Sequence, residues 1–114
     1  MTRVRCVTEM GMGVDVHGKD ATKAAKRAVS DAIRHSSLSF VRLFGKTPHD
    51  MLVDVMIAVP NPEAVDTAAV AKELPYGTVT VNAVKGGLEI LAEQGGDSIL
   101  IANAAVIVSI EHDG

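Results

Sequence analysis

Two short runs in this chain carry side chains that could do chemistry. The first is Asp15-Val16-His17-Gly18-Lys19-Asp20, within GMGVDVHGKDATKAAKRAVSDAI over residues 11–33. An acid, an imidazole and a lysine stand here between a strand end and a helix start. A helix N-terminus offers unpaired amides and the positive end of the macrodipole. Lys19 and Lys23 add two cations there, the wrong sign for helix stability. The chemistry expected of Asp15, Gly18 and Lys19 is capture of an anion, a carboxylate or a phosphate. Asp15 can also orient His17 as a general base. The plainer alternative is that Asp20 occupies the amides as a cap and the lysines are solvated.

The second run is Asn82-Ala83-Val84-Lys85-Gly86-Gly87-Leu88-Glu89. Lys85 leaves a strand into two glycines, where backbone can come close to a ligand. A desolvated lysine amine loses proton affinity and can serve as base or nucleophile. Asn82, Gly86, Gly87 and Glu89 flank it as binding groups, and Arg34 is a further cation. The alternative is a hairpin turn with an exposed lysine.

Other chemistries find no pattern. His35, His49 and His112 have no ligand spacing with His17, and there is one cysteine, so no metal and no cofactor is expected. GMG lacks the third glycine of a dinucleotide fingerprint and the Gly-Lys-Ser/Thr ending of a phosphate loop. No G-x-S-x-G supports a serine nucleophile.

The elements that must position these groups follow from periodicity. Residues 3–14 alternate, with Val4, Cys6, Thr8 and Met10 as the mainly apolar face. Asp20 caps a helix whose stripe is Ala21, Ala24, Ala25, Ala28, Val29, Ala32 and Ile33, fading at 35–37. Residues 38–50 read as a short strand or an ordered loop. Residues 51–59 are a strand with Met51, Val53, Val55, Ile57 and Val59 on one face. A second helix runs from Pro62 to about Leu74, and residues 78–84 form a third strand. Residues 88–94 are a strand extension or a helical turn. Residues 99–110 are apolar on both faces, which marks a central strand. The expected fold is α/β (α+β), β-α-β-α-β-β, a four-stranded mixed sheet with two helices on one face. The other face would carry Glu9, Asp54, Thr80, Asn82 and Asn103 among aliphatics.

The chain has 114 residues, which suits a single domain over 1–114. Aromatics are 3% and tryptophan is absent, so the core must be aliphatic. A mean hydropathy of +0.24 points to apolar surface covered by a second subunit. The net charge of −3 argues against nucleic acid and anionic membrane as partners. No apolar run reaches a membrane span, and the single Cys6 cannot form an internal disulfide; cytoplasmic residence is expected.

The run EMGMGVDVHGKDATKAAKRAVSDAIRHSSL, with VNAVKGGLEI later, resembles a family of short conserved bacterial proteins of uncharacterised activity. A second similarity is to one repeat of the ring-opening amidohydrolases, cyanuric acid hydrolase and barbiturase. There Lys85-Gly86-Gly87-Leu88-Glu89 stands at the family's serine motif and Ala58-Val59-Pro60 at its lysine motif, so the serine–lysine pair itself is missing. The architecture is also similar to chorismate mutase and the reactive-imine deaminases, which implies a trimer or a multiple of one with sites between subunits. The expectation is a homotrimer binding a small polar or anionic metabolite at subunit interfaces. Lys85 and His17 would be the catalytic candidates for cyclic-amide hydrolase or deaminase chemistry. The competing expectation is a non-catalytic binding or assembly module.

Overall fold

A helix striped with alanine finds its complement in a strand that carries glycine. The computed structural model describes residues 2–16, 20–34, 39–93 and 95–113. Strand β1 (Thr2–Asp15) leads to helix α1 (Ala21–Arg34), then 3-10 turns at Ser39–Phe44 and Pro48–Asp50. Strand β2 (Leu52–Val59) is followed by a 3-10 turn (Pro62–Ala64), helix α2 (Thr67–Ala71), and strands β3 (Thr78–Lys85), β4 (Leu88–Ile90) and β5 (Ile99–His112). The sheet order is β1-β5-β2-β3, with β4 also paired to β5. β5 is antiparallel to β1, β2 and β4, while β2 and β3 run parallel. The expected mixed sheet and central last strand are therefore present, with β4 as a fifth strand within the ambiguous 88–94 segment.

The α1 stripe is buried at Ala21, Ala24, Ala25, Ala28, Val29 and Ala32. It rests on Gly11 and Gly13 of β1. A Cβ at Gly11 would lie 2.4 Å from Ala28 O, and one at Gly13 2.2 Å from Ala24 O. No side chain fits between these backbones. Val53, Val55, Ile57 and Val59 of β2 and Ala102, Ala104, Val106 and Val108 of β5 complete the core under the helix.

Two local expectations are corrected and one open alternative is decided. The register of β1 slips between Arg5 and Val7, so that beyond this bulge Gly11, Gly13 and Asp15 face α1. Thr8, Met10 and Met12 point to the open face, not the core, and Glu9 moves to the covered side with its partner Val106. The second helix does not run through residues 62–74. The Thr22 hydroxyl accepts the Asp66 N–H at 2.8 Å and donates to Ala64 O at 3.4 Å, fixing an extended break there. Asp66 then caps only the short α2 through Ala69 N–H at 3.1 Å. Of the two alternatives for residues 38–50, the described residues take the ordered loop, with 3-10 turns at Ser39–Phe44 and Pro48–Asp50. The second turn is held by a Thr47–Asp50 capping box, whose Thr47 N–H keeps the Asp50 carboxyl below its usual value of 3.8.

No helix among the described residues is long and apolar enough to cross a membrane.

The helix–strand contact sets a clear expectation. Gly13→Ala and Gly11→Ala should each cost about 3 kcal/mol or more in urea unfolding, the upper range of overpacking. Gly95→Ala meets nothing within 4 Å but sits at φ +76, and should cost only about 1 kcal/mol, the backbone term alone.

Candidate functional site

The first candidate run begins where β1 ends. Asp15 is 1% exposed, because its register partner Leu100 and the start of α1 close over it. Its Oδ2 accepts the Asp20 N–H at 2.9 Å. Its Oδ1 lies 3.6 Å from Arg27 Nη1, which donates to Val14 O at 2.5 Å. Asp20 in turn accepts the Lys23 N–H at 3.0 Å, the expected N-cap. The connection from 15 to 20 is thus tied at both ends, and both acids have structural work. His17, Gly18 and Lys19 lie outside the described residues.

The second run lies at the same end of the sheet but at its other edge. Lys85 is exposed and pairs in register with Val59. The chain then crosses the end of β2. Gly86 N–H donates to Val59 O at 2.9 Å, and a Cβ at Gly86 would lie 2.8 Å from that of Ala58. Gly87, at φ +67, approaches so close that a Cβ would meet Ile101 O at 2.2 Å. Both glycines let the chain pass from β3 over β2 to β4, which answers their sequence signal without a ligand.

The strand registers show which candidates converge. Glu89 and Asp15 both pair with Leu100, on opposite sides of it. Their side chains share the helix-covered face with two strand spacings between them, about 10 Å. Lys85 is level with Gly13 across β5 and β2, about 14 Å away by strand spacing. Asn82 pairs with Met56 on the open face, so it and Lys85 face opposite ways. Arg34 sits at the far end of α1, about 20 Å from the helix start, beside Asp31 at 3.8 Å. One copy of the chain therefore places Asp15, Glu89 and Lys85 at one end without closing them into a pocket, and leaves Arg34 outside. Among the described residues no cluster of three His, Cys, Asp or Glu could hold a metal.

Two participants were not singled out as site residues. Arg27 neutralises Asp15, and Asp31 accepts the Met12 N–H at 3.0 Å on the outer edge of β1. Neither has a local sequence signal, because the partner is twelve or more residues away.

The open face is a further feature that the two runs do not account for. Met10, Ala105, Met56 and Asn82 form one row across the sheet, and Met12, Asn103, Ala58 and Val84 the next. Met10 is 73% exposed, Met12 54% and Met56 50%, and Leu88 and Ile90 extend the patch on β4. Asp54 and Arg3 form an ion pair at its lower border.

Comparison with known proteins supplies the family. Residues 5–108 match the family described as conserved hypothetical protein (Lin0512_fam). A crystal structure of an FtsZ-like protein of unknown function from Nostoc punctiforme is 41% identical. It superposes with a TM-score of 0.89, over 98% of this chain and 99% of that one. No curated protein matches. The similarity to ring-opening amidohydrolases gains no support; the two motif positions are neighbours here, but they offer the Ala58 methyl against Gly86.

The Asp15 network is testable as structure. Asp15→Asn keeps a side-chain acceptor for Asp20 but leaves Arg27 without its counter-charge. It should lower unfolding free energy by about 1–3 kcal/mol, the range for disturbing a buried charged hydrogen bond, whereas Asp20→Ala should cost about 1 kcal/mol as a lost cap.

Proposed function

Taking as premise that this chain belongs to the Lin0512 family of conserved hypothetical proteins, we propose that it works as a closed homo-oligomer, a trimer or a multiple of one, that binds a small polar or anionic metabolite between subunits. The observation that carries this reading is the open sheet face. A contiguous methionine- and aliphatic-rich surface on a domain of this size is the signature of a covered interface. Turning these faces inward, with the helices outward, buries the patch. The same arrangement sets the β3 edge of one copy beside the β1 end of the next.

That geometry gives the two candidate runs a reason to lie on opposite edges of one sheet end. Lys85 of one copy would meet the run of its neighbour that begins at Asp15, in which His17, Gly18 and Lys19 lie outside the described residues. The exposed Lys85 amine acts there as a cationic clamp for a carboxylate or phosphate. Binding is favoured over hydrolase or deaminase chemistry because Asp15 is already engaged by Asp20 and Arg27.

Sedimentation equilibrium tests the assembly. The wild-type chain should sediment as a multiple of 11.9 kDa, with three subunits expected, and Met56→Glu should sediment as a folded monomer. A monomeric wild type at about 100 μM, a concentration at which even a micromolar interface is occupied, would overturn the reading. Amide NMR with phosphate and oxalate as probes tests the site separately. Joint shifts at Asp20, Gly86 and Gly87, lost in Lys85→Ala, are expected; an oligomer without them keeps the assembly and removes the ligand.

A further inference from the structure

The end of the molecule remote from Asp15 and Lys85 holds a cavity that the side chains of the described residues leave unfilled. It measures ≈ 180 Å³. Val53, Val106 and Val108 form its floor, Ile33 of α1 and Leu74 its walls, and Tyr76 stands at the mouth. The floor valines are buried core residues. An aliphatic void of this size loses packing contacts, and small domains ordinarily close such gaps by letting a wall settle inward.

Here the walls cannot settle. Gly77 holds φ +93 against β2, with room for no Cβ: one would lie 2.7 Å from Met51 O. Thr78 N–H donates to the same carbonyl at 2.9 Å, pinning the chain just after Tyr76. Pro75 stiffens the chain just before it. The Tyr76 ring meets His49 edge-on at 5.3 Å. His49 belongs to the turn that the Thr47–Asp50 capping box fixes. On the far side, Ile33 rides on the helix that Gly11 and Gly13 hold in place. The cavity is therefore preformed, and apolar except at its mouth.

We propose that this cavity binds a small apolar molecule of benzene-to-indole size, an aromatic ring or a compact branched hydrocarbon, with any polar substituent directed outward past Tyr76 at the mouth. The size fits: an engineered cavity of about 150 Å³ with a similar lining stays dry and takes benzene. The chemistry fits as well, since among the described residues no lining side chain would pair a charge or a second polar atom, and burying either unpaired is costly. Loss of oligomer assembly leaves this site intact, because its walls all come from one copy and face away from the open sheet surface.

Methyl-resolved NMR titration of the full chain with benzene and with indole provides the test. Saturable shifts at the methyls of Val53, Val106, Val108 and Ile33 are expected. Val108→Phe, which fills the floor, should weaken binding at least tenfold while the protein stays folded; if that variant does not fold, Leu74→Phe at the wall should do the same. Three results would each overturn the proposal: no saturable shift in the wild type, shifts confined to the open-face methionines, or unchanged affinity in the folded filled variant.

Discussion

Helix α1 lies closer to strand β1 than any residue larger than glycine would permit, and most of the architecture is a consequence of that contact. Each alanine methyl buried along the helix contributes only about 0.8 kcal/mol by transfer. A stripe of them holds a helix in place only if the backbone behind it comes near enough for dense dispersion contact. Gly11 and Gly13 supply that approach. With the helix seated there, its first turn falls over Asp15, whose carboxylate then ties the connection from β1 to α1. The polar face of the helix overhangs the outer edge of β1. Asp31 takes the Met12 N–H, and Arg27 takes the Val14 carbonyl together with the Asp15 carboxylate. One packing contact thus fixes the helix, its Asp15–Asp20 junction with β1 and the sheet edge.

The order of elements and the helix-facing stripe were legible because both depend on local period. The alanines at three- and four-residue spacing and the alternating valines of 51–59 leave one face to bury, and the structure buries it. The covered face of β1 was not legible in the same way. Val4, Cys6, Thr8 and Met10 look like the inward set, but a bulge at Cys6 shifts the phase and the helix selects glycines over methionines. Hydropathy scores a glycine as nothing to bury, whereas close packing treats it as the space that admits another backbone. The break in the second helix was hidden for a different reason. It depends on the hydroxyl of Thr22, more than forty residues earlier, which no window along residues 62–74 contains.

The candidate site shows the same division. Glycines beside charged residues drew attention to both runs, and in each the glycines have a packing explanation: Gly11 and Gly13 under α1, Gly86 and Gly87 over the end of β2. Asp15 and Asp20 likewise have structural partners. What the sequence could suggest, and local packing does not absorb, is that both runs sit at one end of one sheet, with Lys85 exposed. The apolar cavity had no sequence signal, since it is a property of residues from α1, β2, β5 and the segment before β3 that become neighbours only on folding.

The edges constrain how copies of this chain can meet. A free strand edge invites continuation of the sheet by a neighbour. On β1, that route is obstructed over residues 12–14, where Asp31 and Arg27 already satisfy outward backbone groups. A neighbour's β3 cannot extend the sheet there without displacing a charged hydrogen bond to each. In the closed oligomer proposed above, the contact would then be made by side chains at the upper edge, with the open faces supplying the apolar area. Such a junction would leave a gap between the two edges, bordered by Lys85 on one side and by the Asp15 end of β1 on the other. A continuous intersubunit sheet would have removed that gap. In the proposed oligomer, the side chains that protect β1 from indiscriminate strand pairing would be the same ones that leave room for a small ligand between subunits.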